Sequence, residues 1–290
     1  MNRLTAFLRL TRIEHSAMLV VAVLVAEIIT KSLPHIAVLL LSIVTPIFIS
    51  MGSFAINDYF DVEADRINNR FDRPIVSGAI SRNAAFAIAM VSFAIGILAS
   101  LFINYIAFAI ALVFGALAFF YSYKLKDTLL LGNSYIALSM AIPFLYGDFV
   151  VSNALNPNIA IISAIIFLSG LAREIHGMIR DYKGDSKARK SRNLLSHMGK
   201  AASSALALLL YIAAIVLSLF MFVYEKPFAY NLVYLAPILI TDAALLYVSF
   251  AYLRSKLSAN FFRIARNLSL GAMALALFAY LIAALFYLPI

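Results

Sequence analysis

Long apolar runs dominate the chain, broken at intervals by short polar segments. A membrane-crossing helix needs about 20 mostly apolar residues. Nine runs reach that length, at roughly 16–33, 36–57, 83–103, 105–122, 129–150, 159–179, 201–224, 228–252 and 267–288. None alternates apolar and polar residues as the strand of a membrane barrel would, so helices are the only spanning structure that fits. The pattern predicts an all-α polytopic bundle of nine transmembrane helices forming one domain over 1–290, with two long charged loops, about 58–82 and 173–200, as a cap on one side.

Composition agrees. Hydrophobic residues make up 64% of the chain, charged residues 13%, and the mean hydropathy is +0.95. A soluble domain is usually about a quarter charged. The basic N-terminus (Arg3, Arg9, Arg12) leads into an apolar run long enough to span, with no small-residue cleavage site after it, which argues against a cleaved signal peptide. Cysteine is absent, which removes disulfides and thiolate metal sites, and the four histidines (His15, His35, His176, His197) lack metal-ligand spacing.

The net charge of +9 is a topology signal rather than a nucleic-acid footprint. With nine spans, all but Lys31 and Lys226 of the 23 lysines and arginines fall on one side. That assignment predicts a multi-pass protein of the cell membrane with a cytoplasmic N-terminus and an external C-terminus. Both long loops are then cytoplasmic, four spans apart, and each carries spaced carboxylates followed by Arg and Ser, which hints at a duplicated four-helix unit.

Those loops hold the candidate chemistry. In Asn57-Asp58-Tyr59-Phe60-Asp61-Val62-Glu63-Ala64-Asp65, residues Asn57, Asp61 and Asp65 are spaced i, i+4, i+8 and share one face of a helix, with Asp58 at its border. In the second loop Asp181 and Asp185 repeat the i, i+4 spacing, and Glu174, seven residues before Asp181, lies near the same face. Carboxylates stacked on one face repel each other unless a cation sits among them, and hard oxygen ligands select Mg²⁺, with Mn²⁺ the second ion that fits. Two such clusters facing each other could hold two ions around a diphosphate, binding it and stabilising it as a leaving group. Arg12, Arg73, Lys124 and Lys126 are candidates to complete an anion site, with Tyr121 and Tyr123 flanking the lysines. Asp58 and Tyr123 are both candidate general bases, and the sequence does not choose between them. Glu27 and Asp242 are ionisable residues inside spans, far from both clusters.

Asn57 to Asp65, Asp72-Arg-Pro-Ile-Val-Ser-Gly78, Tyr121-Ser-Tyr-Lys-Leu-Lys126 and Asp181-Tyr-Lys-Gly-Asp185 resemble the UbiA superfamily of intramembrane prenyltransferases, over nearly the whole chain. The resemblance implies Mg²⁺ at Asn57, Asp61, Asp65, Asp181 and Asp185, and diphosphate contacts from basic residues such as Arg73 and Lys126. It implies an isoprenyl diphosphate donor, a lipophilic acceptor, and transfer through an allylic carbocation. Ile56 to Asp61 and Arg173-Glu-Ile175 are most similar to the archaeal digeranylgeranylglyceryl phosphate synthases, which act in ether-lipid synthesis with a geranylgeranyl donor. Met178 and Arg180 stand where acidic residues are usual in that branch. Arg12-Ile-Glu-His15 is closer to hydroxybenzoate prenyltransferases, so an aromatic, quinone-precursor acceptor is the alternative. A transporter would place its ionisable residues near the midplane, and only Asp242 fits that pattern. The signature of membrane CDP-alcohol phosphotransferases is absent.

Overall fold

The computed structural model describes residues 2–30, 33–128, 131–188, 194–254 and 257–286, with the side chains of residues 127, 182–188, 194 and 196 outside that description. Lys31, Lys183, Lys187, Arg189, Lys190, Arg192 and Lys256, counted in the charge asymmetry, are among the residues or side chains not described. The described chain is entirely helical: α1 (Arg3–Thr11), α2 (Ile13–Thr30), α3 (Ile36–Ile67), α4 (Arg82–Leu101), α5 (Tyr105–Tyr123), α6 (Leu131–Val151), α7 (Pro157–Ala188), α8 (Leu194–Tyr224), α9 (Leu232–Tyr252) and α10 (Ala259–Leu285). Among the described residues, nine helices, α2 to α10, are long and apolar enough to cross a membrane.

Several helices overshoot the apolar runs that predict them. α3 and α7 each reach 32 residues, because the charged residues directly after their apolar stretches, 58–67 and 173–188, contain no proline and continue the helix. Much of what the sequence reads as two loops is therefore helix, and the acidic motifs sit on helical extensions. α10 begins at Ala259, where Ser258 caps it by accepting from the Phe261 amide, so Arg263 and Arg266 lie inside the helix. α1 is an element that the hydropathy pattern leaves out. Asn2 caps it by accepting from the Thr5 amide, Ala6, Leu10 and Thr11 are buried, and Leu4 and Leu8 are exposed alongside Arg3 and Arg9. A short helix with that distribution suits a membrane surface.

The helices pack as two groups of four, α3–α6 and α7–α10, joined through α6 and α7, with α2 against α3, α6, α7 and α10. The groups are built alike. Each opens on a 32-residue helix with acidic residues near its C-terminal end, and each has a glycine in the left-handed region close to the start of the next helix: Gly78 at φ 75° before α4, and Gly199 at φ 76° at a kink within the first turns of α8. Only glycine adopts that conformation without a side-chain penalty. Small residues set the closest approaches, as in membrane bundles generally. A Cβ added to Gly147 of α6 would stand 2.5 Å from the carbonyl oxygen of Val23 on α2.

Candidate active site

The two acidic motifs share one end of the bundle. Lys126, on a 3₁₀ turn (Leu125–Asp127) between α5 and α6, reaches α3, where its Nζ donates to Asp61 Oδ1 at 2.5 Å. A few residues further on, Asn133 near the start of α6 donates to the Met178 sulfur of α7 at 3.9 Å, beside the second motif. Short local links thus connect the acidic end of α3, through Lys126 and α6, to the acidic end of α7.

On α3, the helix places each carboxylate against a different cation. Asp58 is 2% exposed. Its Oδ1 accepts from Arg12 Nη2 at 2.6 Å and from Arg73 Nη1 at 3.0 Å, and Arg73 Nη1 is also 3.3 Å from Oδ2. Arg12 joins α1 to α2 in the left-handed region (φ 45°, ψ 48°), with its guanidinium 4.6 Å from the centre of the Phe54 ring. A non-glycine residue holds such a conformation only where its surroundings fix it, and the Asp58 and Phe54 contacts do so here. Arg73 lies between α3 and α4, with Nε 3.8 Å from Asp65 Oδ2. Asp61 and Asp65 remain 18% and 14% exposed, and Asn57 is half-buried above them. Outside the spans, Arg70 donates twice to Asp72, and that hydrogen bonding holds the Asp72 carboxyl below the usual carboxylate range.

The remaining basic and aromatic candidates separate. Lys124 is exposed at the C-terminal cap of α5, unlike Lys126. Tyr123 points outward, with its ring 5.5 Å from that of Phe60, and Tyr121 stacks on Tyr135 at 4.6 Å. Of the two candidate bases, Tyr123 is exposed beside Phe60 and Asp58 is already engaged by two guanidinium groups.

On α7, Arg180 grips its neighbour Asp181 with two parallel hydrogen bonds of 2.7 and 2.6 Å, and Arg173 donates to Glu174 at 3.1 Å. Asp181 is about half exposed. The side chain of Asp185 lies outside the described residues. Sequence reasoning used Arg173 and Arg180 as topology charges and in the resemblance, and did not count either as a site residue. Their position directly beside Glu174 and Asp181 was the signal for this pairing. His176 is buried, stacked parallel on Tyr252 with ring centres 4.0 Å apart.

Among the described residues, no three Asp, Glu or His side chains converge to hold a metal ion. The donor chemistry still suits Mg²⁺, which is commonly held by one or two carboxylates with substrate phosphates completing the shell. Asp61, Asp65 and Asp181 supply hard oxygens of that kind from the acidic ends of α3 and α7. Glu27 and Asp242 stay apart from this end. Glu27 is fully buried in α2 with neither carboxylate oxygen hydrogen-bonded. Asp242 borders a cavity of about 30 Å³ within α7–α10, with the Ser218 hydroxyl 3.4 Å away. Among the described residues, neither has a cationic side chain within ion-pair distance.

A multi-pass helical bundle with acidic helix extensions and basic side chains gathered at one end describes an intramembrane enzyme acting on phosphorylated lipids. Residues 17–271 match the UbiA prenyltransferase family, and the chain belongs to it. Digeranylgeranylglyceryl phosphate synthase of Thermococcus kodakarensis is 34% identical over 283 residues, covering 97% of this chain and 98% of that one. The enzyme of the same name from Archaeoglobus fulgidus is 35% identical over 250 residues, covering 85% and 84%. A solved structure of digeranylgeranylglyceryl phosphate synthase in membranes superimposes with a TM-score of 0.81 at 26% identity, covering 99% of this chain and all of that one. A UbiA homologue from Archaeoglobus fulgidus bound to GPP and Mg²⁺ shares the fold, with a TM-score of 0.65, 18% identity, and coverage of 95% and 99%.

Proposed function

We propose that this prenyltransferase moves a geranylgeranyl group from its diphosphate onto geranylgeranylglyceryl phosphate, forming an ether bond of an archaeal membrane lipid. The observation that carries the reading is the full-length similarity to digeranylgeranylglyceryl phosphate synthases. The arrangement of acidic and basic side chains at one end of the bundle is consistent with it.

Mg²⁺, read here as two ions, would be held by Asn57, Asp61, Asp65, Asp181 and Asp185, and would neutralise charge on the departing diphosphate. Lys126 lies against Asp61 and can turn its ammonium to a phosphate oxygen without leaving the acidic face. Arg12 and Arg73 present further N–H groups to the same end. These cations act through preorganised charge, which costs no reorganisation as the allylic C–O bond breaks. The apolar bundle keeps water from the carbocation until the acceptor hydroxyl adds to it and gives up its proton to the released diphosphate. Both substrates are amphipathic, so entry from the bilayer through a lateral gap spares their chains a passage through water. The charge asymmetry supports an acidic end at the cytoplasmic face of the cell membrane, an internal N-terminus and an external C-terminus.

The deciding experiment offers the purified protein geranylgeranyl diphosphate with geranylgeranylglyceryl phosphate and 4-hydroxybenzoate in competition, and identifies products by mass spectrometry. Digeranylgeranylglyceryl phosphate as the main product is expected. A prenylated benzoate as the main product would replace the ether-lipid reading with the aromatic one.

A further inference from the structure

Asp58 stands apart from the other carboxylates of its motif. It is 2% exposed where Asp61 and Asp65 retain 18% and 14%, and both of its oxygens face guanidinium nitrogens. A metal ion or an acceptor hydroxyl could reach it only by breaking those contacts. The two arginines come from separate parts of the chain, Arg12 from the α1–α2 junction and Arg73 from the α3–α4 connection. Two like charges brought together need an anion between them, and Asp58 is that anion.

We propose that Asp58 is a positioning residue that fixes Arg12 and Arg73 as a two-armed receptor for phosphate oxygens of the donor diphosphate. The inference rests on the prenyl-transfer reading and adds the function of a residue that sequence spacing placed at the border of a metal face. Each guanidinium has five N–H groups, and Asp58 engages only one nitrogen of each. Arg73 Nε is buried without a hydrogen-bond partner. The forked geometry of arginine suits phosphate oxygens better than a point charge would. Phe54 supports the Arg12 guanidinium through its ring face. The receptor therefore stands assembled before the donor arrives, which reduces the ordering cost of binding.

The test uses Asp58→Asn in the full-length detergent-purified chain. Binding of inorganic diphosphate with Mg²⁺ is followed by thermal shift, and steady-state kinetics are run with labelled geranylgeranyl diphosphate. Losing a charge-assisted anchor should weaken diphosphate binding and raise the donor KM about tenfold. The kcat, the acceptor KM and the half-saturating Mg²⁺ concentration should stay near wild type. A raised Mg²⁺ requirement, a collapse of kcat at unchanged donor KM, or wild-type diphosphate binding would each overturn the proposal. Should Asp58→Asn fail to fold, Arg12→Gln, Arg73→Gln and the double variant decide. A double loss smaller than the product of the single losses supports one shared receptor, and independent, multiplicative losses overturn it. The diphosphate-binding arm does not depend on which acceptor the enzyme uses, so failure of the ether-lipid reading would be seen separately, in the product analysis.

Discussion

Lys126 donates to Asp61 across 2.5 Å, tying the turn after α5 to the middle of the acidic face on α3. Lys124, two residues earlier, is exposed instead. Removing Lys126 should therefore act on the donor and not on the fold. Lys126→Ala is expected to raise the donor KM about tenfold or more, since a charge-assisted hydrogen bond contributes roughly 1.5–3 kcal/mol. Lys124→Ala should change it by less than about threefold. Equal effects from the two lysines would refute the assignment, and steady-state kinetics at saturating acceptor measure both.

Asp61→Ala and Asp181→Ala should each abolish prenyl transfer while leaving the protein folded. Neither side chain belongs to the buried core, so little packing is lost. Transfer of labelled donor at saturating Mg²⁺, alongside a thermal melt, separates the two effects. Near-normal turnover in either variant would sink a site shared between α3 and α7.

Chelation should stop turnover and Mg²⁺ should restore it, in detergent as well as in vesicles, because the reaction needs no sealed compartment. Full activity after exhaustive chelation would exclude the oxygen-ligand site.

Gly147→Ala should destabilise the bundle at the α2–α6 contact. Its new methyl group would lie 2.5 Å from the Val23 carbonyl oxygen, so α2 and α6 must separate. Overpacking of this kind costs typically about 1–3 kcal/mol. A lower melting temperature is expected, and an unchanged one would show that the α2–α6 contact yields easily.

Apolar run length located every spanning helix, because the bilayer imposes that length on the sequence. The runs failed to mark where α3 and α7 end. Hydropathy falls at Asp58 and Arg173, yet the backbone stays helical to Ile67 and Ala188, since the residues there form helix as readily outside the apolar layer as within it. α1 was not visible in the runs because it is short and mixed in polarity. The i, i+4, i+8 spacing identified the acidic face but could not rank its members. Asp58 is distinguished by Arg12, a contact 46 positions away that no local pattern encodes. The Met178 contact with Asn133 is likewise a product of tertiary packing between α7 and α6.

The placement of α2 has a consequence for how the two acidic helix ends are spaced. It packs against α3 and α6 of one four-helix group and α7 and α10 of the other, so it works as a gauge block between two jaws. One jaw carries Asp61 and the other Asp181, so the distance between the two acidic helix ends is set where α2 meets its neighbours rather than at the carboxylates. Arg12 immediately precedes that same helix and is bound to Asp58, so the gauge block is pinned to one jaw at the acidic end. A change of packing deep in the bundle would therefore be transmitted as a change of bite at the acidic end.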